Sequence, residues 1–213
     1  SLILNTLDNL FQLDANQILD RLTPSTKLII INTPNNPSGA IYDKNELLKL
    51  AKGAAAKGIY VLSDEVYETI TFNGKEHYSM ASDLSVFDYV ISAYSFSKTH
   101  AMTGWRMGYI VASKTLIDEF LKLSQFSITS LAPFGQMAAL AALSNAEVQL
   151  YSESMRSEYE RRKNHIIKKI KGTWLEKAIT IPEGTFYILI DISTFNSTSL
   201  VMAKKLVEVA GVS

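Results

Sequence analysis

Three short apolar runs, each ending in a cluster of polar residues, constrain this chain more than anything else in it. Residues 28–31 read Leu-Ile-Ile-Ile and lead into Thr33-Pro34-Asn35-Asn36-Pro37-Ser38-Gly39, and residues 59–62 read Ile-Tyr-Val-Leu and lead into Ser63-Asp64-Glu65-Val66-Tyr67. The third, Tyr-Val-Ile-Ser-Ala-Tyr at 89–94, leads into Ser95-Phe96-Ser97-Lys98. Continuous apolar runs of this length are the pattern of strands buried on both faces of a parallel sheet. Ligands of open α/β sheets bind outside the carboxyl ends of the strands. The pattern therefore predicts an α/β fold and, at three strand ends in succession, one shared site.

The connections agree with that reading. Asp43 with Glu46 three residues later forms a capping-box-like start, and Leu47, Leu48, Leu50, Ala51, Ala54 and Ala55 supply an apolar face that Gly58 ends. The helix and the strands around it make a βαβ unit with a right-handed crossover, and residues 108–112 add a further strand. Between 115 and 172 the pattern is helical, with Pro133 opening one helix and a second over 147–172. Arg161, Arg162, Lys163, Lys168, Lys169 and Lys171 on the second could form an anion patch, but Glu153, Glu158 and Glu160 share it, so we read a mixed solvated face. Residues 178–192 read as a hairpin around Pro182-Glu183-Gly184 and 199–210 as a helix, together a small α+β unit separate from the sheet. The expected division is residues 1–145 as part of a large domain and 146–213 as part of a smaller C-terminal one.

Composition excludes several partners. The 213 residues carry 21 Lys plus Arg and 21 Asp plus Glu, so no net field favours nucleic acid or a membrane surface, and a small-molecule partner is the default. There is no cysteine, and the histidines, His77, His100 and His165, are far apart in the chain with no carboxylate cluster at ligand spacing, so no metal site is expected. No basic leader with a long apolar stretch and no run of 18 apolar residues occurs, which predicts a soluble cytoplasmic protein.

The richest stretch is 95–108, Ser-Phe-Ser-Lys-Thr-His-Ala-Met-Thr-Gly-Trp-Arg-Met-Gly. A lone lysine after a strand is ordinarily a solvated surface residue. Beside hydroxyls, an arginine and the two other polar strand ends, Lys98 becomes a candidate nucleophile. The ordered set Asn-Asn-Pro-Ser-Gly at 35–39, Asp-Glu-Val-Tyr at 64–67, Ser-Phe-Ser-Lys at 95–98 and Gly-Trp-Arg-Met-Gly-Tyr at 104–109 resembles the class I/II aminotransferases. These are pyridoxal-phosphate enzymes of fold type I, here of the aspartate aminotransferase-like kind. Pro-Glu-Gly-Thr-Phe-Tyr at 182–187 looks like that family's small-domain strand, so the resemblance runs along nearly the whole chain.

The resemblance implies a mostly parallel-sheet large domain with a smaller α+β C-terminal domain, both partial. It implies that Lys98 forms the Schiff base with pyridoxal 5'-phosphate and, once freed, carries the proton between the substrate carbon and the cofactor. Asp64 pairs with the pyridine nitrogen; charges about 4 Å apart at an effective dielectric near 20 attract by roughly 4 kcal/mol. Tyr67 and Asn36 donate to the ring's 3' oxygen, and Ser95, Ser97 and Arg106 hold the phosphate, with Ser95 and Ser97 on one side if the segment is extended. Glycines 104 and 108 suggest close backbone packing around Arg106. Local readings stand beside these: Asp64 as a helix N-cap, Tyr67 as packing, Asn36 as part of a turn, Ser97 bonded to nearby backbone. Trp105 reads as packing, His100 as a local structural group and Lys114 as solvated.

The implied activity moves an amino group between an amino acid, of aspartate or aromatic type, and a 2-oxo acid, in a homodimer. A related carbon–sulfur β-lyase and a non-enzymatic regulatory module on the same scaffold are the alternatives; Gly-Trp-Arg-Met-Gly-Tyr favours the transferase. The family's N-terminal phosphate-cradling loop, ring-stacking aromatic and C-terminal carboxylate-binding arginine are not found, so we expect part of a longer enzyme, inactive by itself.

Overall fold

The computed structural model describes residues 11–212. Within them β1 (Leu28–Asn32), β2 (Tyr60–Asp64), β3 (Val90–Ser95) and β4 (Gly108–Val111) form a sheet in that order, the first three parallel and β4 antiparallel to β3. The register sets Asn32 beside Asp64 and Asp64 beside Ala93, so the three parallel strands end at one level.

The βαβ unit forms as expected. Helix α1 (Ala15–Leu19) precedes β1, and α2 (Lys44–Ala55) crosses from β1 to β2. The Asp43 carboxylate accepts from the Asn45 and Glu46 amides. Glu46 does not reach back to complete the capping box; its carboxylate accepts from the Ala15 amide at 2.7 Å and ties α1 to α2. Leu47, Leu50, Ala51 and Ala54 are fully buried against Ile29, Ile31, Val61 and Val90. Burying a leucine side chain this way stabilises by about 1.5–3 kcal/mol.

β1 departs from the expected burial on both faces. Ile29 and Ile31 are buried while Leu28 and Ile30 are 44% and 66% exposed, because α2 covers one side of the sheet and no described residues cover β1 on the other.

Helices α3 (Phe96–Thr99), α4 (Lys114–Ser127), α5 (Pro133–Ser144) and α6 (Ala146–Ile170) follow, with Pro133 at the start of α5 as expected. On α6 the mixed-charge reading holds for Arg161 and Arg162, both paired with Glu158. Lys163 is an exception, buried with its ammonium 4.7 Å from the Phe72 ring centre. α7 (Leu175–Ala178) and α8 (Ser199–Ala210) complete the chain. No helix among the described residues is long and apolar enough to cross a membrane.

The stretch 178–192 is not an independent hairpin. Its arms meet at one bridge, Ile179 with Ile190, and its tip pairs instead with the sheet-bearing part of the chain, Gly184 with Thr71. The tip amides of Glu183 and Gly184 both donate to the Gly39 carbonyl at 2.9 Å. A Cβ on Gly39, whose φ is +73°, would lie 2.3 Å from the Pro182 Cβ, so only glycine allows this approach.

Candidate active site

The level strand ends place three sequence-distant segments side by side. The Thr33 amide donates to the Asp64 carbonyl at 3.1 Å, the Asn32 side-chain amide to the same oxygen at 3.2 Å, and the Glu65 amide to the Ala93 carbonyl at 2.9 Å. The Asn32 carboxamide oxygen also accepts from the Asn36 amide at 2.7 Å, folding the Asn-Asn-Pro-Ser-Gly loop over the end of β1.

Asp64 ends β2 and is followed by turns rather than a helix, which removes the N-cap reading. Its carboxyl is pushed above the usual carboxylate range chiefly by burial, opposed by the Val66 amide and reinforced by the charge of Glu65. Among the described residues it makes no ion pair. Tyr67 is 2% exposed, and its hydroxyl meets both the Asn36 side chain and Tyr187. Burial first, then the hydrogen bond and charge of Tyr187 and the charge of Asp64, push this phenol upward, while Asn36 pulls it back.

Lys98 lies on α3, which Thr99 anchors to the turn following Tyr67 through a 3.0 Å bond from the Thr69 hydroxyl. Its ammonium sits 5.9 Å from the Tyr67 ring centre and 5.5 Å from that of Phe186, and it makes no hydrogen bond or ion pair with the described residues. Ser95 and Ser97 do not share one extended segment: Ser95 is the extended N-cap of α3 and Ser97 lies inside that helix. The local backbone bond belongs to Ser95, whose oxygen accepts from the Ser97 amide at 3.1 Å. That leaves the Ser95 O–H free to donate. Arg106 is left-handed (φ 55°), exposed, and gives one N–H to the Thr103 carbonyl at 3.0 Å. Two residues on, a Cβ at Gly108 would meet the Tyr94 carbonyl at 2.6 Å, so close backbone approach is real there; at Gly104 there is open space.

Two groups escaped the sequence reading. Phe186 and Tyr187 pack edge-on against Tyr67, with ring centres 5.4 and 6.0 Å away, and so enter the site from the 182–187 segment. The signal was there, two adjacent aromatics after Gly184, but the strand pattern said nothing of what they face. Behind the site Glu65 is fully buried and receives His77 at 2.7 Å, Ser92 at 2.6 Å, Ser79 at 3.0 Å and Tyr94 at 3.1 Å. Burial alone would raise its carboxyl; the His77 and Ser92 bonds, the His77 charge and Ser63 outweigh it and hold the carboxyl below the usual range. His100 packs on Phe96 and meets Ser152 of α6 at 3.4 Å, a structural placement.

Residues 5–213 match the sequence profile of the aminotransferases of class I and II. The chain belongs to the class I and II aminotransferases. It is 38% identical to aromatic-amino-acid aminotransferase 2 of Thermococcus litoralis over 85% of its own length and 46% of that protein. To the aspartate aminotransferase of Pyrococcus horikoshii it is 38% identical over 96% of its length and 52% of that protein. The crystal structure of the aromatic aminotransferase from Pyrococcus horikoshii superposes with a TM-score of 0.90 at 33% identity, covering 97% of this chain and 55% of that one. The chain thus spans about half the length of the curated relatives it matches, and it carries the α/β architecture of fold type I.

Class I and II aminotransferases are pyridoxal-phosphate enzymes, and the residues gathered here suit that group. A half-buried carboxylate without a cation among the described residues, Asp64, suits a protonated ring nitrogen. The hydroxyl of Tyr67 and amide of Asn36 suit a ring oxygen, the unengaged amine of Lys98 an aldehyde, and the Ser95 hydroxyl with Arg106 a phosphate.

Proposed function

We propose that the whole enzyme is a pyridoxal-phosphate-dependent aminotransferase that moves an amino group between an amino acid of aspartate or aromatic type and a 2-oxo acid. The observation that carries this is the convergence of Asp64, Tyr67, Asn36 and Lys98 at the carboxyl end of the sheet, with the Asp64 carboxylate and the Lys98 amine lacking an ionic partner among the described residues. The names of the relatives, aspartate and aromatic-amino-acid aminotransferases, support the substrate class.

When bound, pyridoxal phosphate supplies the sink for the electron pair left behind as the substrate loses its α-hydrogen. In this reading Asp64 keeps the ring nitrogen protonated, and Tyr67 and Asn36 donate to the 3' oxygen. Lys98 Nζ would anchor the cofactor and, once freed, carry the proton between the substrate α-carbon and the cofactor's C4′ carbon. Ser95, Ser97 and Arg106 would orient the phosphate, Arg106 with the guanidinium N–H groups that the Thr103 carbonyl leaves free. We assign residues 1–145 to the large domain and 146–213 to the small one. We read the enzyme as a homodimer, which the exposed Phe126, Phe134 and Met137 on α4 and α5 support, and as cytoplasmic.

Borohydride reduction of the whole enzyme with pyridoxal phosphate, followed by peptide mapping, tests this. The expected adduct is confined to Lys98; labelling scattered over surface lysines would refute the assignment.

A further inference from the structure

The 182–187 segment is bonded to both loops that carry the ring-oxygen donors. It reaches the Asn36 loop through Gly39 and through the Glu183 carboxylate, which accepts from the Ile41 amide at 3.1 Å and pairs with Lys75 at 3.1 Å. The segment after Tyr67 is held by the Phe72 amide on the Glu183 carbonyl and the Thr185 amide on the Ile70 carbonyl, both at 2.8 Å. Two residues beyond Thr185, the Tyr187 hydroxyl accepts the Tyr67 proton at 3.1 Å.

A phenol has one proton to give and two places to accept. Here Tyr67 receives the Asn36 amide and gives its proton to Tyr187. An acceptor arriving on the cofactor side that takes this proton leaves one place on the Tyr67 oxygen unfilled, and Tyr187 need only rotate its O–H to fill it. We propose that Tyr187 is a positioning residue for Tyr67, held by the Glu183-anchored strap, and that the chain Tyr187 to Tyr67 to the cofactor's 3' oxygen strengthens the final hydrogen bond. This rests on the pyridoxal-phosphate reading above. Bonds in series polarise one another, and the strap keeps the outer donor in place. The titratable groups facing Tyr67 are Asp64 from β2, Lys98 from α3, Tyr159 from α6 and Tyr187 itself.

The test is the pH titration of the visible absorbance of the Lys98-bound cofactor in the whole holoenzyme, for wild type, Tyr67→Phe, Tyr187→Phe and the double variant. Donors to the 3' oxygen stabilise the deprotonated form, so losing them raises the midpoint. We expect Tyr67→Phe to raise it by about one unit and Tyr187→Phe by roughly 0.3–0.7 unit. The double variant should match Tyr67→Phe alone, because Tyr187 acts only through Tyr67. A Tyr187→Phe midpoint equal to wild type, or a double variant whose shift is the sum of the two, overturns the inference and leaves the Lys98 assignment standing. A wild-type holoenzyme with no titrating band on Lys98 overturns both.

Discussion

Asp64 and Glu65 are neighbours on one strand end and live in opposite surroundings. Glu65 faces the covered side of the sheet with four donors, while Asp64 faces the site with no ionic partner among the described residues. Strand alternation alone separates them. If Asp64 protonates the ring, Asp64→Ala should bind cofactor yet turn over about 10³-fold slower, the equivalent of roughly 4 kcal/mol. Lys98→Ala should lose at least about 10⁴-fold; single-turnover kinetics on the whole enzyme check both. Glu68 offers a pH test. Burial first, then the charge of Glu65, push its carboxyl up to about 7 from 4.5. A group raised in the fold contributes stability that is complete below the unfolded value and is lost as pH climbs through the folded one. Glu68→Gln should therefore match wild type near pH 4.5 and exceed it at pH 8. Allowing for its partial exposure, the gain is about 1–2 kcal/mol, or roughly 3–6 °C in Tm by thermal melts at the two pH values.

At the scale of elements, the site is assembled by short connections. Ser95 closes β3 and caps α3 with the same oxygen, so the phosphate reading and the capping role fall on one residue. The 182–187 strap reaches the Asn36 loop only because Gly39 lacks a side chain. Gly39→Ala must bear a left-handed backbone penalty and a clash with Pro182. A destabilisation of about 2–4 kcal/mol in urea titration is expected, whereas Gly58→Ala meets no atom within 4 Å and should lose only the conformational part, about 1 kcal/mol.

At the scale of the molecule, the sheet is covered by α2 on one side, while Leu28, Ile30 and Ile110 stand exposed on the other. In this chain Ile31→Ala should cost about 2–4 kcal/mol and Ile30→Ala under about 1, measured by chemical denaturation. The sequence by itself determined the strands, the crossover helix, the long helices and the strand-end positions of Asn36, Asp64, Ser95 and Lys98, because periodicity, caps and glycines act over neighbouring residues. It also carried the family, through motifs whose order and spacing persist without any structure. Only the tertiary structure decided that Glu46 serves α1 rather than its own cap. The same holds for Phe186 and Tyr187 closing on Tyr67 from more than a hundred residues away. Those outcomes depend on which surfaces meet, and a hydroxyl or carboxylate has several partners within reach until packing leaves it one.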